Sequence, residues 1–131
     1  MISNYKNILT TICFLAFAFS GFASMTSYTY IDGNNNEYLI MEGSVTYKPI
    51  TARESSSGTY NGGEAKNVAI TSSQFQKIET LIKTILKDKS AHEATRQMGF
   101  GTVICGKKTV YLNVNSAHKI ALEQELKNCL N

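Results

Sequence analysis

Hydrophobic and polar positions along the chain predict two successive strand–strand–helix units. In the first unit, residues 26–31 are mostly β-branched or aromatic, and residues 37–48 alternate between apolar and polar side chains. The segment between them, 32–36, consists of aspartate, glycine and asparagine, which favour turns. The two runs therefore predict a two-stranded hairpin, which Pro49 ends because proline donates no ladder hydrogen bond.

The clearest helix prediction covers residues 71–89. Thr71 and Gln74 have the spacing of a capping box, in which each side chain bonds the other residue's backbone amide. Residues 68–70, just before the helix, can add a short edge strand. Apolar side chains recur at helical spacing and give one buried stripe: Phe75, Ile78, Leu81, Ile82, Ile85 and Leu86.

The second unit repeats this order near the C-terminus. Residues 100–105 and 109–114 predict two strands joined by a turn at 106–108, and residues 116–130 predict a helix. Residues 90–99 show no period and are interpreted as a connection with at most one helical turn.

Together these elements predict an α+β domain with ββα-ββα order. The simplest packing is a four-stranded antiparallel sheet with both helices on one face. In this arrangement Leu39 and Met41 point toward the helices, whereas Tyr38 and Tyr111 lie on the uncovered face.

The N-terminus has the three-part pattern of a secretory signal peptide. Lys6 precedes an uncharged apolar run at residues 8–19, and small residues follow. Cleavage is expected after Ala23, with a cut after Ser20 as the second choice. An uncleaved membrane anchor or a buried helix is the alternative, although the run is shorter than the ~20 residues that span a bilayer.

Removal of residues 1–23 leaves residues 24–131 as a single domain, which we expect to be secreted or periplasmic. No later apolar run is long enough to span a membrane. Lys6 is lost with the signal, which lowers the formal net charge from +3 to +2, and this near-neutral charge argues against a nucleic-acid partner. The oligomeric state is left open.

Two cysteines remain after signal cleavage, Cys105 in a strand and Cys129 in the last helix. In an exported protein, two cysteines are most simply one disulfide. We therefore predict a Cys105–Cys129 bridge between sheet and helix, with two unpaired thiols as the alternative.

No complete catalytic or metal-binding motif is present. His92 and His118 have no second histidine or cysteine at ligand spacing, so no metal and no cofactor are expected. Ser55, Ser56 and Ser57 are candidate nucleophiles, but no Gly-x-Ser-x-Gly turn surrounds them. No catalytic residue is assigned.

The longest irregular segment, residues 51–65, is the predicted binding site, because it combines one tyrosine with serine and glycine. Its candidate residues are Arg53, Glu54, Ser55, Ser56, Ser57, Tyr60 and Asn61. The leading hypothesis is a non-enzymatic module that recognises another protein, such as an inhibitor or immunity-type protein for an exported enzyme. The alternatives are a small exported hydrolase using residues near this loop, including Glu54, and an envelope-associated structural protein without a discrete site.

Overall fold

The computed structural model describes residues 26–131, so the predicted signal peptide at 1–23 lies outside the described residues. The strands are β1 (Ser27–Ile31), β2 (Glu37–Met41), β3 (Ser44–Lys48), β4 (Lys66–Ala69), β5 (His92–Glu93), β6 (Gly101–Cys105) and β7 (Lys108–Leu112). These seven antiparallel strands form one sheet, in the order β4-β3-β2-β1-β6-β7-β5. The α-helices are α1 (Ser72–Lys87) and α2 (Ala117–Leu130), and a short 3₁₀ turn covers Lys89–Ala91. The predicted α+β class is confirmed.

The predicted four-stranded sheet is wrong, chiefly because residues 37–48 form a hairpin instead of one strand. Met41 pairs with Ser44 across a two-residue turn, whose second residue, Gly43, has a φ of 92°. Only glycine adopts such a φ without strain, so the backbone reverses here. The predicted edge strand is present as β4, and β5 adds a strand at the other edge.

The same turn changes which side chains face the helices. Tyr38 pairs with Tyr47 and Ile40 with Val45, and these residues pack into the core. Leu39 and Met41 therefore lie on the opposite face of the sheet, and Tyr38 is buried, contrary to the prediction.

Both helices lie on the same face of the sheet, as predicted. The Tyr28 hydroxyl donates a hydrogen bond of 2.9 Å to Glu79 of α1, and the Tyr30 hydroxyl donates one of 2.6 Å to Glu123 of α2. Tyr28 and Tyr30 are alternate residues of β1, so their side chains point to one side. No helix within residues 26–131 is long and apolar enough to cross a membrane.

The start of α1 follows the sequence signal. The Thr71 hydroxyl accepts from the Gln74 amide at 3.2 Å, and the Gln74 side chain accepts from the Thr71 amide at 2.8 Å. These bonds satisfy two backbone donors that a helix terminus leaves unpaired. The capping-box prediction is confirmed.

The predicted disulfide is wrong, because Cys105 and Cys129 are both free thiols. Cys129 is buried in the core, and Cys105 packs against the same core. Both side chains therefore face the core, but a shared face does not by itself bring two thiols to bonding distance.

Candidate functional site

Three irregular connections leave the sheet at one end, which we call the cleft end. Ile31 pairs with both Glu37 and Thr102, and Glu37 also pairs with Lys48. Three connections therefore meet at this end of the sheet: the β1–β2 turn, the long loop after β3 and the segment before β6. Together with the side of α2, they enclose two adjoining grooves.

The first groove, which we call the loop groove, has a volume of about 470 Å³. It lies between the β1–β2 turn, the loop after β3 and the segment 96–99. Met98 stands at its border with 93% of its surface exposed, more than any other large apolar residue among those described. The side chains that characterise this groove are Ser55, Ser56, Ser57, Tyr60, Arg96 and Met98.

The second groove, which we call the tyrosine pocket, has a volume of about 440 Å³. It shares Gly33, Asn34, Tyr60 and Gly99 with the loop groove, so the two are continuous. Its floor is the end of the sheet and one wall is α2. The side chains that characterise it are Asp32, Tyr38, Tyr47, Lys119, Glu123 and Lys127.

Asn36 joins the β1–β2 turn to the long loop, and we call its contacts the Asn36 bridge. Its side-chain amide donates to Asp32 at 2.9 Å and to the Tyr60 hydroxyl at 3.0 Å. Its carbonyl oxygen accepts from the Ile50 amide at 3.1 Å. Asn36 is only 2% exposed, so these bonds satisfy a buried polar group and fix the relative positions of both segments.

The loop after β3 is held further by backbone contacts at Gly62. The Gly62 amide donates to the Ile50 carbonyl at 3.0 Å, and the Tyr47 hydroxyl donates to the Gly62 carbonyl at 2.7 Å. A β-carbon at Gly62 would lie 2.7 Å from the Pro49 side chain and would also collide with Asn36. The close approach of the loop to the sheet therefore requires glycine at this position.

The first turn of the loop is closed by Glu54. Its carboxylate accepts from the Thr51 amide at 2.8 Å and from the Thr51 hydroxyl at 3.1 Å. Both hydrogen bonds lower the pKa of Glu54, and the bond from the Thr51 backbone amide has the larger effect. The carboxylate is thus engaged within its own loop.

Tyr38 and Tyr47 lie at the floor of the tyrosine pocket, and the fully buried Tyr30 continues their row into the core. The ring centroids of Tyr30 and Tyr38 are 5.9 Å apart, and those of Tyr38 and Tyr47 are 4.9 Å apart, in tilted arrangements. Burial is the main cause that raises the pKa of Tyr38, and the nearby Asp32 carboxylate raises this pKa further. Its hydroxyl therefore keeps its proton across the physiological pH range.

A partly buried ion pair forms the α2 wall of this pocket. The Lys119 ammonium lies 3.0 Å from the Glu123 carboxylate, one helical turn away, and Lys119 is only 8% exposed. The same Glu123 oxygen also accepts from the Tyr30 hydroxyl. Glu123 therefore connects α2 to β1 at the base of the pocket.

The structure brings four of the seven predicted binding residues together. Ser55, Ser56, Ser57 and Tyr60 line the loop groove, and Tyr60 also lines the tyrosine pocket. Arg53, Glu54 and Asn61 lie in the same loop but line neither groove. Asn61 instead accepts from the Gly63 amide at 2.9 Å. That these residues bind a partner stays a prediction.

Sequence reasoning missed the groove residues contributed by distant segments. Asn36 and Tyr60 are 24 residues apart, and Tyr30 and Glu123 are 93 apart. The only local signal was the turn composition of residues 32–36, which predicted a turn but not its contacts. The position of Lys119 on a mostly apolar helix face could have marked a buried charge.

The serines and histidines are not arranged for nucleophilic catalysis. The Ser55 and Ser57 hydroxyls bond each other at 2.9 Å, and Ser57 also accepts from the backbone amides of Thr59 and Tyr60. His92 bonds the Ile85 carbonyl at 2.6 Å, and His118 bonds Asp88 at 2.8 Å. A serine nucleophile needs a base within hydrogen-bond reach, and neither histidine contacts the loop.

Within residues 26–131, no three histidine, cysteine or acidic side chains cluster in a way that could hold a metal ion. Comparison of the sequence and structure with protein-family models, with curated proteins and with solved structures returned no match. The function is therefore argued from the geometry of the grooves alone.

Proposed function

We propose that this protein is an exported, non-enzymatic binding module that recognises a segment of another protein at its cleft end. The observation that carries the proposal is the loop groove, in which a fixed loop borders an open depression beside the exposed Met98. Because the loop is already fixed, binding loses less conformational entropy. The exposed methionine offers apolar contact area. Export is proposed from the N-terminal sequence pattern.

The fixed state of the loop supports binding over a mobile or purely structural role. The Asn36 bridge and the Gly62 contacts connect the loop to two other segments, so its groove-facing side chains are preorganised. Ser56 is nonetheless exposed, which leaves its hydroxyl available to a partner. A structural protein without a discrete site would have no need for this arrangement.

Hydrolysis receives less support from the same residues. The Ser57 hydroxyl accepts several backbone hydrogen bonds inside the loop, and Glu54 is bonded to Thr51. Both groups therefore stabilise the loop conformation, which suits a binding surface. Inhibition of an exported enzyme is the role within this class that best fits a small module with a preformed loop.

Site-specific photo-crosslinking tests the proposal. A benzophenone amino acid replaces Met98 or Ser56 in the loop groove, and in a matched control it replaces Lys107, an exposed residue in the turn between β6 and β7. Each variant is irradiated in the cells that produce the protein, and adducts are identified by mass spectrometry.

We expect one discrete adduct from the Met98 and Ser56 positions and none from Lys107. The same adduct at all three positions, or none at Met98 and Ser56, would contradict the proposal. A thermal unfolding curve for each variant confirms that the protein remains folded.

A further inference from the structure

The two carboxylates of the tyrosine pocket already accept several hydrogen bonds. One Glu123 oxygen accepts from the Tyr30 hydroxyl at 2.6 Å and from the Lys119 ammonium at 3.0 Å. Asp32 accepts from the backbone amides of Asn34 and Asn36 and from the Asn36 side chain, each at 2.9 Å. A carboxylate that already accepts several hydrogen bonds has little remaining capacity to accept one from a ligand.

The donors of the pocket, in contrast, are available. Tyr38 has only 7% of its surface exposed, and its hydroxyl has no hydrogen-bond partner among residues 26–131. The Tyr60 hydroxyl accepts from Asn36 but donates to no acceptor within the described part of the protein. Lys127 lines the same pocket, is exposed, and has no ion pair in that part.

Tyr38 is a nearly buried residue whose polar group has no protein partner among the described residues, whereas most polar side chains in such positions are hydrogen-bonded. The Tyr38 hydroxyl is open to solvent, because Thr102 Oγ1 is the only side-chain oxygen within residues 26–131 that is buried without a partner, and Tyr38 lines the pocket. A ligand can therefore reach it. Two hydroxyl donors and one ammonium are the groups that recognise an oxygen anion.

The charges around the pocket argue against a doubly charged anion. Lys119 and Lys127 are balanced by Asp32 and Glu123 around the pocket, so a dianion such as phosphate would meet little net attraction. A carboxylate has one charge and two oxygens, which matches the few available donors.

We propose that the tyrosine pocket binds a carboxylate of the partner protein through Tyr38, Tyr60 and Lys127. The carboxylate belongs to an acidic side chain or to the last residue of the partner. This inference rests on the proposed function, and it adds the chemistry by which the partner is recognised. The loop groove would then hold the residues that adjoin the carboxylate, because the two grooves are continuous.

The test is a titration of ¹⁵N-labelled protein with short blocked peptides, followed by amide chemical shifts. One peptide carries an aspartate side chain with an amidated C-terminus, and a second carries a free C-terminus without acidic side chains. Neutral controls replace aspartate by asparagine or amidate the C-terminus, and inorganic phosphate is a separate probe. Gly33 and Gly99 report on the pocket, and Gly106 reports on the other end of the sheet.

We expect at least one acidic peptide to shift the Gly33 and Gly99 amides, whereas its neutral control leaves them in place. The responding peptide identifies the source of the carboxylate. Tyr38→Phe should weaken this binding about tenfold, since a hydrogen bond to a charged acceptor is lost. Lys127→Gln tests the exposed donor without disturbing the interior, and Lys107→Gln is the matched control that should change nothing.

Equal shifts with acidic and neutral peptides would overturn the inference, as would tighter binding of phosphate than of either peptide. Unchanged affinity in both Tyr38→Phe and Lys127→Gln would also overturn it. The Met98 crosslink separates the two proposals. If it forms at the same yield in wild type and Tyr38→Phe, the carboxylate inference fails while the binding function stands. If wild type gives no crosslink, the binding function fails, and the peptide titration still decides the chemistry of the pocket.

Discussion

The two ends of the sheet reverse the backbone in different ways. At the end opposite the cleft, which we call the turn end, β2–β3 and β6–β7 are joined by two-residue turns. Gly43 and Gly106 supply positive φ angles of 92° and 58° there, and a β-carbon at either would meet open space. At the cleft end the connections are long and are held by side chains.

The turn end is thus determined by backbone geometry, whereas the cleft end is held by networks of side-chain contacts. The turn end depends on conformations that one or two adjacent residues can adopt, so each turn is independent of the rest of the molecule. The cleft end depends on contacts between segments far apart in sequence, such as Asn36 with Tyr60. A substitution at the cleft end should therefore disturb several segments together, and one at the turn end should have a local effect.

The largest effect is expected at the Asn36 bridge. Asn36→Ala removes the bonds to Asp32 and Tyr60 and leaves the Ile50 amide without its acceptor. Because an unsatisfied buried group costs about 1–3 kcal/mol, we expect the free energy of unfolding to fall by about 2–4 kcal/mol. Urea unfolding of the full-length protein measures this loss.

Asn67→Ala is the matched control. Asn67 lies on β4, is exposed, and accepts only a long hydrogen bond of 3.4 Å from Thr46. Its replacement should change the free energy of unfolding by less than about 0.5 kcal/mol. Equal losses in the two variants would contradict the importance of the Asn36 bridge.

A smaller effect is expected at the turn end. Gly43→Ala places a side chain at a φ of 92°, where strain is expected but no atom lies in the way. We expect the free energy of unfolding to fall by about 1–2 kcal/mol, from backbone strain alone. Crosslinking at Met98 should keep its wild-type yield, because the grooves lie at the other end.

Glu42→Ala, in the same turn, serves as control because Glu42 is exposed and has a negative φ. It should be neutral to within about 0.5 kcal/mol. If Gly43→Ala abolished the crosslink while the protein stayed folded, the two ends would be coupled and the comparison would be wrong.

Local signals explain what could be predicted from the sequence. The start of α1 follows from Thr71 and Gln74, which act within one helical turn. The β2–β3 turn was missed because both faces of β2 carry apolar side chains, so the alternation does not show which face is buried. Leu39 and Met41 lie on one face, and Tyr38 and Ile40 lie on the other. Glu42-Gly43 also lacks the Asn-Gly or Asp-Gly signature of common hairpin turns.

The grooves could be predicted only in part, for a related reason. Composition marked the loop at residues 51–65, since serine, glycine and tyrosine are adjacent in sequence. The α2 wall depends on the direction in which that helix crosses the sheet, which no local pattern specifies. The disulfide prediction failed for the same reason: apolar periodicity placed Cys129 in the core, but it does not specify which strand residue lies opposite that side chain.

The smallest effect is expected from a change at Glu54. Its contact with Thr51 lies at the cleft end but joins residues close in sequence, as the contacts of the turn end do. The Thr51 hydrogen bonds lower the pKa of Glu54 below its ordinary value of 4.5. A carboxyl group with a lowered pKa stabilises the folded form above its unfolded pKa, and this contribution is lost as pH falls through the lowered value. We therefore expect the Thr51 amide shift to titrate below pH 4.5 in wild type, and to remain flat in Glu54→Gln.

Glu64→Gln, a second exposed acidic position in the same loop, should leave the Thr51 titration in place. Because Glu54 and Thr51 are only three residues apart, the loss of their contact should loosen the first turn of the loop without breaking the Asn36 bridge. The Gly33 and Gly99 amides should accordingly keep their shifts in Glu54→Gln at neutral pH. If these amides moved together with Thr51, the loop would respond as one unit, and the cleft end would have no region as independent as the turns at the opposite end.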